Sequence, residues 1–333
     1  MKIDVVLGLQ YGDEGKGKVC HSLLREGNYT HVVRFNGGGN AGHTIWHEGK
    51  KLVTHLVPSG VFFGKKSIVG PGCVVNVSKF FDELWYLKEH GIETKGLVYV
   101  AKNAHVVTQD HVLEDSQESM RLGTTSSGNG PAYRDKYVRT GLRAEDVEEL
   151  RPYLIDMYDE FYGKGSSGHV EVLAEGAQAF GLDVDWGDYP YVTSSHCGIG
   201  SVLLNGFNHR DIRNVYGVIK AYDTYVGSKK FQPDDGVFDK IQEAGQEFGS
   251  TTGRRRQCNW LDWDLVTKAA RMNGVNRLII NKIDVMRQVG VWKAKVRGEL
   301  VNFEDEKNFC AFLRGESERL WINCRLSYDP KMI

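Results

Sequence analysis

Residues Lys2 to Lys18 read KIDVVLGLQYGDEGKGK. Lys2 to Leu9 is a short apolar run rich in β-branched residues and ended by a glycine-rich turn, which predicts a buried strand. Lys18 to Arg25 then predicts a helix. Strand, glycine loop and helix in that order open a nucleotide-binding α/β fold. The loop Gln10-Tyr11-Gly12-Asp13-Glu14-Gly15-Lys16-Gly17-Lys18 suits phosphate. Glycines free backbone N–H groups, a lysine adds charge, and a helix N-terminus follows. The loop departs from G-x-x-x-x-G-K-[ST], because Gly17 follows Lys16 where Ser or Thr would stand. It also carries two carboxylates, and a carboxylate beside phosphates points to a magnesium ligand or a proton acceptor. The plain alternative is a tight turn with solvated charges.

Further strands are expected at His31 to Phe35, Val170 to Leu173, Val215 to Lys220, Arg277 to Ile280 and Leu320 to Leu326. A hairpin is expected over Ile45 to Leu56, turning at Glu48-Gly49-Lys50. Helices are expected at Ser78 to His90, with Ser78 as N-cap and Gly91 as the C′ residue, at Leu261 to Asn273 ending on Gly274, and at Phe303 to Leu313. Strands alternate with helices, and no repeat or linker interrupts them. The expectation is α/β: a single large domain over residues 1–333 around a mainly parallel sheet, with a P-loop-like nucleotide-binding loop.

The chain has 333 residues, 41% hydrophobic and 26% charged, a soluble globular composition. Lys+Arg total 42 against Asp+Glu 43, a net charge of −1 that argues against direct nucleic-acid binding by a general basic coat. No apolar run approaches the ~20 residues of a membrane-spanning helix, and the start lacks a signal peptide's apolar stretch. Six cysteines without a C-x-x-C read as reduced thiols in a cytoplasm-like compartment, with no zinc site.

Glycine is in excess, 39 against 7 prolines, and it is clustered. The loop Asn36-Gly37-Gly38-Gly39-Asn40-Ala41-Gly42-His43-Thr44 ends on a histidine placed to act as a general acid or phosphate ligand. Gly123 to Pro131 and Gly249 to Arg256 offer hydroxyls and N–H groups to anions, and Arg254-Arg255-Arg256 can bond carboxylate or phosphate bidentately. A solvated or nucleic-acid-facing patch is the bland alternative for that triplet. Asn281-Lys282-Ile283-Asp284, after a buried strand, is similar to the guanine-reading N-K-x-D of GTP-binding proteins. There the Asp accepts from N1–H and the 2-amino group, a pattern adenine lacks.

Together these segments closely resemble the adenylosuccinate synthetase family. The matches run in the family's order: Gln10 to Lys18, Asn40 to Thr44, Gly123 to Arg143, Glu175 to Gln178, Tyr189 to Ser195, Gly249 to Arg256 and Lys282 to Asp284. The resemblance implies a carbon–nitrogen ligase. A base takes N1–H from a 6-oxopurine monophosphate, the 6-oxygen attacks the γ-phosphate of a nucleoside triphosphate, and L-aspartate displaces phosphate. On that pattern Asp13 is the base, His43 steadies the transferring phosphoryl, and Asp13 with the Gly42 carbonyl holds Mg2+. Lys16, Lys18, Thr44 and the amides of Gly12, Gly15 and Gly17 hold phosphates. Asn40, Thr125, Gln178, Thr193 and Arg254 line the monophosphate, while Thr251, Thr252 and Arg256 clamp aspartate. Arg139 matches an arginine lent to the other subunit, which implies a homodimer. Lys282 and Asp284 read the triphosphate's base.

The chain is shorter than the family's common form, as in its archaeal and viral branches. The family's S-T-G-P-D element is here Leu326 to Pro330, and its S-T-R-V-G-x-G-P-F-P-T-E is Asp223 to Asp234, so an arginine beside the substrate ribose has become Tyr225. His196 to Gly200 replaces N-T-T-A-G. Part of the viral branch takes dGMP in place of IMP on the way to 2-aminoadenine nucleotides, and some of those members have serine at the base position, where Asp13 is kept here. The length and the altered ribose-side segments favour dGMP, with ATP, dATP or GTP as donor, in a phage enzyme working in the host cytoplasm. The alternative is a short-form IMP- and GTP-using synthetase. A regulatory GTPase, which would leave the arginine triplet and Glu175 to Gln178 unused, is the remote rival.

Overall fold

The computed structural model describes residues 1–163, 168–249, 253–329 and 331, with side chains of 118–122 excepted. Its centre is the predicted first strand, Lys2–Gly8, in which Ile3, Val5, Val6 and Leu7 are all buried. A strand covered on both faces reads as a continuous apolar run, the mark of an interior strand in a parallel sheet. It pairs in parallel with Glu171–Glu175 on one side and Ile212–Lys220 on the other. From there the sheet extends to nine strands, in the order Asn323–Leu326, Arg277–Asn281, Ile212–Lys220, Lys2–Gly8, Glu171–Glu175, His31–Arg34, Lys66–Val69, Val98–Ala101 and Leu154–Ile155. Every pairing within it is parallel.

Parallel register puts the carboxyl ends of these strands on one edge. The segments that leave that edge are Leu9 to Gly15, Phe35 to Gly42, Gly176 to Gln178, Lys282 and Ser327. In an open α/β sheet, ligands bind along this edge. The helix after the first loop is Lys16–Glu26, which begins two residues before the expected start because Gly15, in the left-handed region at φ 90°, supplies the N-cap.

A second sheet of four strands, Tyr222–Tyr225, Gln257–Asp262, Lys293–Val296 and Glu299–Asn302, mixes antiparallel and parallel pairs. Simple strand–helix alternation therefore does not hold throughout. The hairpin consists of His43–His47 and Lys50–Thr54, turning at Glu48 and Gly49 with positive φ at both. That geometry is the two-residue turn that matches strand twist.

Several boundaries differ from expectation for identifiable reasons. The helix Val77–Glu89 is capped by Asn76, whose side chain accepts from Lys79 N at 3.0 Å, not by Ser78. Leu261 belongs to a strand, and Asp262 caps the helix Trp263–Asn273. Asp305 caps Glu306–Arg319, so Phe303 lies outside that helix. The last strand is only Asn323–Leu326. For the three helices a side-chain acceptor outranks the apolar pattern in setting the start. The helix Asn129–Val138 begins inside what the glycines present as a loop, with Gly128 at φ 74° as its cap.

Candidate active site

A cleft of about 1190 Å³ follows the carboxyl edge of the sheet. The first loop forms its floor. Glu14, buried at 1% exposure, accepts from Gly12 N at 2.9 Å and from Lys16 Nζ at 2.7 Å. Asn281 Nδ2 donates to the Glu14 carbonyl at 2.7 Å, so the asparagine of N-K-I-D fastens the loop. Gln10 anchors the other side, accepting from Lys220 N at 2.8 Å and donating to the carbonyls of Lys220 and Tyr222. Of the two loop carboxylates, then, Glu14 is consumed inside the loop. Asp13 is left facing the cleft, on backbone at φ 58°.

The Asp13 carboxylate pairs with Arg256, Oδ2 to Nε at 2.7 Å. Arg256 Nη1 in turn donates to Glu247 Oε2 at 2.5 Å. Glu247 is fully buried and accepts from Tyr222 Oη at 2.6 Å and Lys220 Nζ at 3.3 Å. Burial pushes the Glu247 carboxyl up, but Lys220, Arg256 and Lys282 outweigh it and hold the group well below the usual carboxylate range. A buried ion pair needs such a full set of partners to be tolerated.

His43 opens the hairpin and is 5% exposed. Its Nδ1 bonds the Glu175 carboxylate, and its Nε2 lies 3.0 Å from Arg34 Nη1. Arginine only donates, so Nε2 accepts and the imidazole carries its proton on Nδ1. Burial, reinforced by the Arg34 charge, pushes His43 down to about 4. Glu175 also accepts from Ser59 N at 2.9 Å. Lys18 donates to Ser327 Oγ and the Asp329 carbonyl, both at 2.9 Å, and burial pushes it down to about 8.

Most residues singled out in the sequence meet in this cleft. Gly12, Asp13, Gly15, Lys16, Gly17 and Lys18 line it from the first loop, and Asn40, Gly42, His43 and Thr44 from the second. Thr125, Gln178, Thr193, Arg256, Lys282 and Asp284 complete the set. Gln178 Nε2 donates to Asn40 Oδ1 at 3.1 Å, and Lys282 Nζ to the Gly245 carbonyl at 2.9 Å. The arginine triplet does not act as one patch: Arg254 reaches the Gly123 carbonyl at 3.3 Å, Arg255 pairs with Asp239, and only Arg256 enters the cleft. Arg139 is exposed and stands outside the lining. Thr251 and Thr252 lie outside the described residues. Sequence reasoning missed Arg34, Lys220 and Glu247; Arg34 and Lys220 signal themselves only as charges inside apolar runs, and Glu247 carries no such signal.

Comparison with known proteins gives one family. The model of the adenylosuccinate synthetase family matches residues 5–150 and 145–302. Adenylosuccinate synthetase of Picrophilus torridus is 38% identical, over 95% of this chain and 85% of its own length. That of Lodderomyces elongisporus is 36% identical, over 91% and 84%. Fully ligated adenylosuccinate synthetase from Plasmodium falciparum superposes with a TM-score of 0.87 at 26% identity, covering 99% of this chain and 98% of that one. A cyanophage S-2L succinoaminodeoxyadenylate synthetase bound to dGMP and dATP shares the fold, with a TM-score of 0.79 at 21% identity over 99% and 93%. A parallel sheet whose carboxyl edge gathers these loops, matched over nearly its whole length, places the chain in the adenylosuccinate synthetase family, ligases that form carbon–nitrogen bonds in purine biosynthesis.

Proposed function

We propose that the chain joins L-aspartate to C6 of dGMP at the expense of a nucleoside triphosphate, a step toward 2-aminoadenine nucleotides. Asp13, the loop carboxylate that is not consumed by loop amides and Lys16 as Glu14 is, takes the N1 proton of the purine lactam. The electron pair moves to the 6-oxygen, which attacks the γ-phosphorus and expels the nucleoside diphosphate. The aspartate amine then adds at C6, and phosphate leaves with the C6–O bond. The loop amides, Lys16, Lys18 and Thr44 hold phosphates on a helix N-terminus. His43 gives up the Arg34 bond and donates from Nε2 once the negative charge of a phosphoryl group raises the imidazole's basicity. Arg256 leaves Asp13 for a carboxylate of the incoming amino acid, a clamp to which the family resemblance also assigns Thr251 and Thr252. Asn40, Thr125, Gln178 and Thr193 seat the monophosphate, Arg254 swings in from the Gly123 carbonyl to join them, and Lys282 and Asp284 meet the base of ATP, dATP or GTP.

Magnesium fits this donor set. Asp13 and Gly42 offer hard oxygen ligands to the cleft, and among the described residues no cluster of three or more His, Cys, Asp or Glu forms a full cage. One carboxylate completed by substrate phosphates and water is the habit of Mg2+. Bound there, it would neutralise charge on the transferring phosphoryl.

The choice of dGMP rests on Tyr225. Where the family resemblance has an arginine at the ribose, this ring is 4% exposed and packs against Tyr11 and Phe231, with centroids at 6.1 and 5.4 Å. Lys229 sits against the same cluster but is tied to Asp188. The sugar side of the cleft is thus an aromatic wall instead of a guanidinium, which suits a sugar without its 2′-hydroxyl. The second reading, IMP with GTP, is favoured by the retained Asp13 and by the name its relatives carry. The test is an assay with aspartate, Mg2+ and each of IMP, GMP and dGMP against GTP, ATP and dATP. Succinylated product formed fastest from dGMP supports the proposal. Product from IMP alone replaces it by the second reading, and triphosphate hydrolysis indifferent to aspartate removes the ligase.

A further inference from the structure

We propose that Trp46 is the stacking platform for the purine of the nucleoside triphosphate, and that Lys331 covers its ring in the free protein. The inference deepens the ligase reading and rests on that reading's use of Lys282 and Asp284. In the hairpin, Trp46 is opposite Lys51 and Thr44 is opposite Val53. Successive side chains of a strand point to opposite faces. Ile45 and Leu52, on one face, are each 1% exposed within the core. Thr44, Trp46, Lys51 and Val53, on the other, all line the cleft. The fold therefore turns its bulkiest apolar side chain at this point toward ligand, away from the core.

That ring is not bare. Lys331 Nζ stands 4.4 Å from its centroid. Hydrogen bonds lead from there to Lys18, which lies within the field of Asp284. Lys331 N donates to Asp329 Oδ1 at 2.6 Å, and the Asp329 carbonyl accepts from Lys18 Nζ at 2.9 Å. Lys18 in turn feels the charge of Asp284. Ring, ammonium and carboxylate thus border one compartment. A flat, neutral π-system is the ligand that fits against a tryptophan face there, and the Lys331 ammonium is the kind of cover it displaces. Stacking does not distinguish adenine from guanine, so this platform supplies affinity and leaves selection to Asp284.

The experiment is calorimetric titration of the full chain and its Trp46→Ala and Trp46→Phe variants with ATP, GTP and inorganic tripolyphosphate. Loss of the ring should weaken both nucleotides about 5- to 150-fold and leave tripolyphosphate unchanged. Trp46→Phe should keep most of the affinity, and the Michaelis constants for monophosphate and aspartate should not move. Equal loss for tripolyphosphate, or no loss for the nucleotides, overturns the platform. Should Trp46→Ala fail to fold, fluorescence decides: nucleotide must quench the wild type more than Trp46→Phe, and equal quenching overturns the proposal. Failure of the ligase reading would show separately, as wild-type nucleotide binding without succinylated product.

Discussion

At the scale of single residues, the cleft separates groups that look equivalent in sequence. Asp13 and Glu14 are neighbours, yet Glu14 is spent on two loop amides and Lys16 while Asp13 faces the substrate space. General-base catalysis contributes about 10²–10⁴ in rate, so Asp13→Ala should lose that much turnover and keep nucleotide binding by calorimetry. Near-normal turnover in the variant would end the assignment. Arg256→Leu should raise the Michaelis constant for aspartate at least about tenfold, since a bond to a charged group is worth roughly 1.5–3 kcal/mol. An unmoved constant would contradict the clamp. Lys18 supplies the pH dependence. Burial pushes its ammonium down to about 8, so below that pH it is charged and attracts phosphate. As pH rises past 8 the free protein loses this proton, which bound phosphate would hold. The Michaelis constant for triphosphate should therefore climb by up to about tenfold per pH unit until the bound form also deprotonates. Lys18→Met should bind weakly and flatten that profile; a slope that survives the substitution would move the dependence to another group.

At the scale of elements, the site depends on how closely a helix and a hairpin approach. Gly17, in the first turn of Lys16–Glu26, is where His43 comes down: a Cβ added there would stand 2.9 Å from the His43 Cβ. Neither atom is the end of a flexible chain, so Gly17→Ala must push the hairpin off the helix. We predict a variant with wild-type circular dichroism and turnover reduced by at least about 10²-fold, the penalty of misplacing a reacting group by about 1 Å. Turnover within a factor of two would show that His43 needs no such seat. The same two elements show what was readable in advance. The first strand, its loop and the hairpin are local signals, written in apolar runs and glycine spacing, and the structure keeps them within a residue or two. The helix starts at Asn76, Asp262 and Asp305 were misplaced because a cap is a single side chain beside a longer apolar pattern. The strands Lys66–Val69 and Val98–Ala101 were missed because short β segments acquire meaning only from their partners. Arg34, Lys220 and Glu247 stayed invisible for a like reason. Each is a charge made tolerable by partners remote in sequence, such as Lys220 with Glu247 and Arg34 with Glu175.

At the scale of the whole molecule, Arg139 stands outside the lining of its own cleft. Arg139 follows the helix Asn129–Val138, at φ 68° and exposed, beside Tyr137 at 67% and Val138 at 55% exposure. Leu142, three positions on, is also exposed. A guanidinium amid surface apolar groups is the composition of an interface core, where arginine and aromatic residues gather. We propose that this patch meets its copy in a two-fold dimer and lends Arg139 to the partner's monophosphate, the use that the family resemblance implies. Two consequences can be measured. Arg139→Leu alone should weaken monophosphate binding about tenfold or more while leaving triphosphate binding intact, because one charge-assisted phosphate contact is lost. At monophosphate concentrations too low to saturate the Arg139→Leu variant, mixing Arg139→Leu with Asp13→Ala subunits should restore activity well above that of either alone. In a mixed dimer, one cleft combines an intact Asp13 with the partner's intact arginine, and the other lacks both. Random reassortment makes half the dimers mixed, so recovery should approach about a quarter of wild-type sites. No recovery after verified subunit exchange would put Arg139 outside the partner's site and leave the cleft complete within one chain.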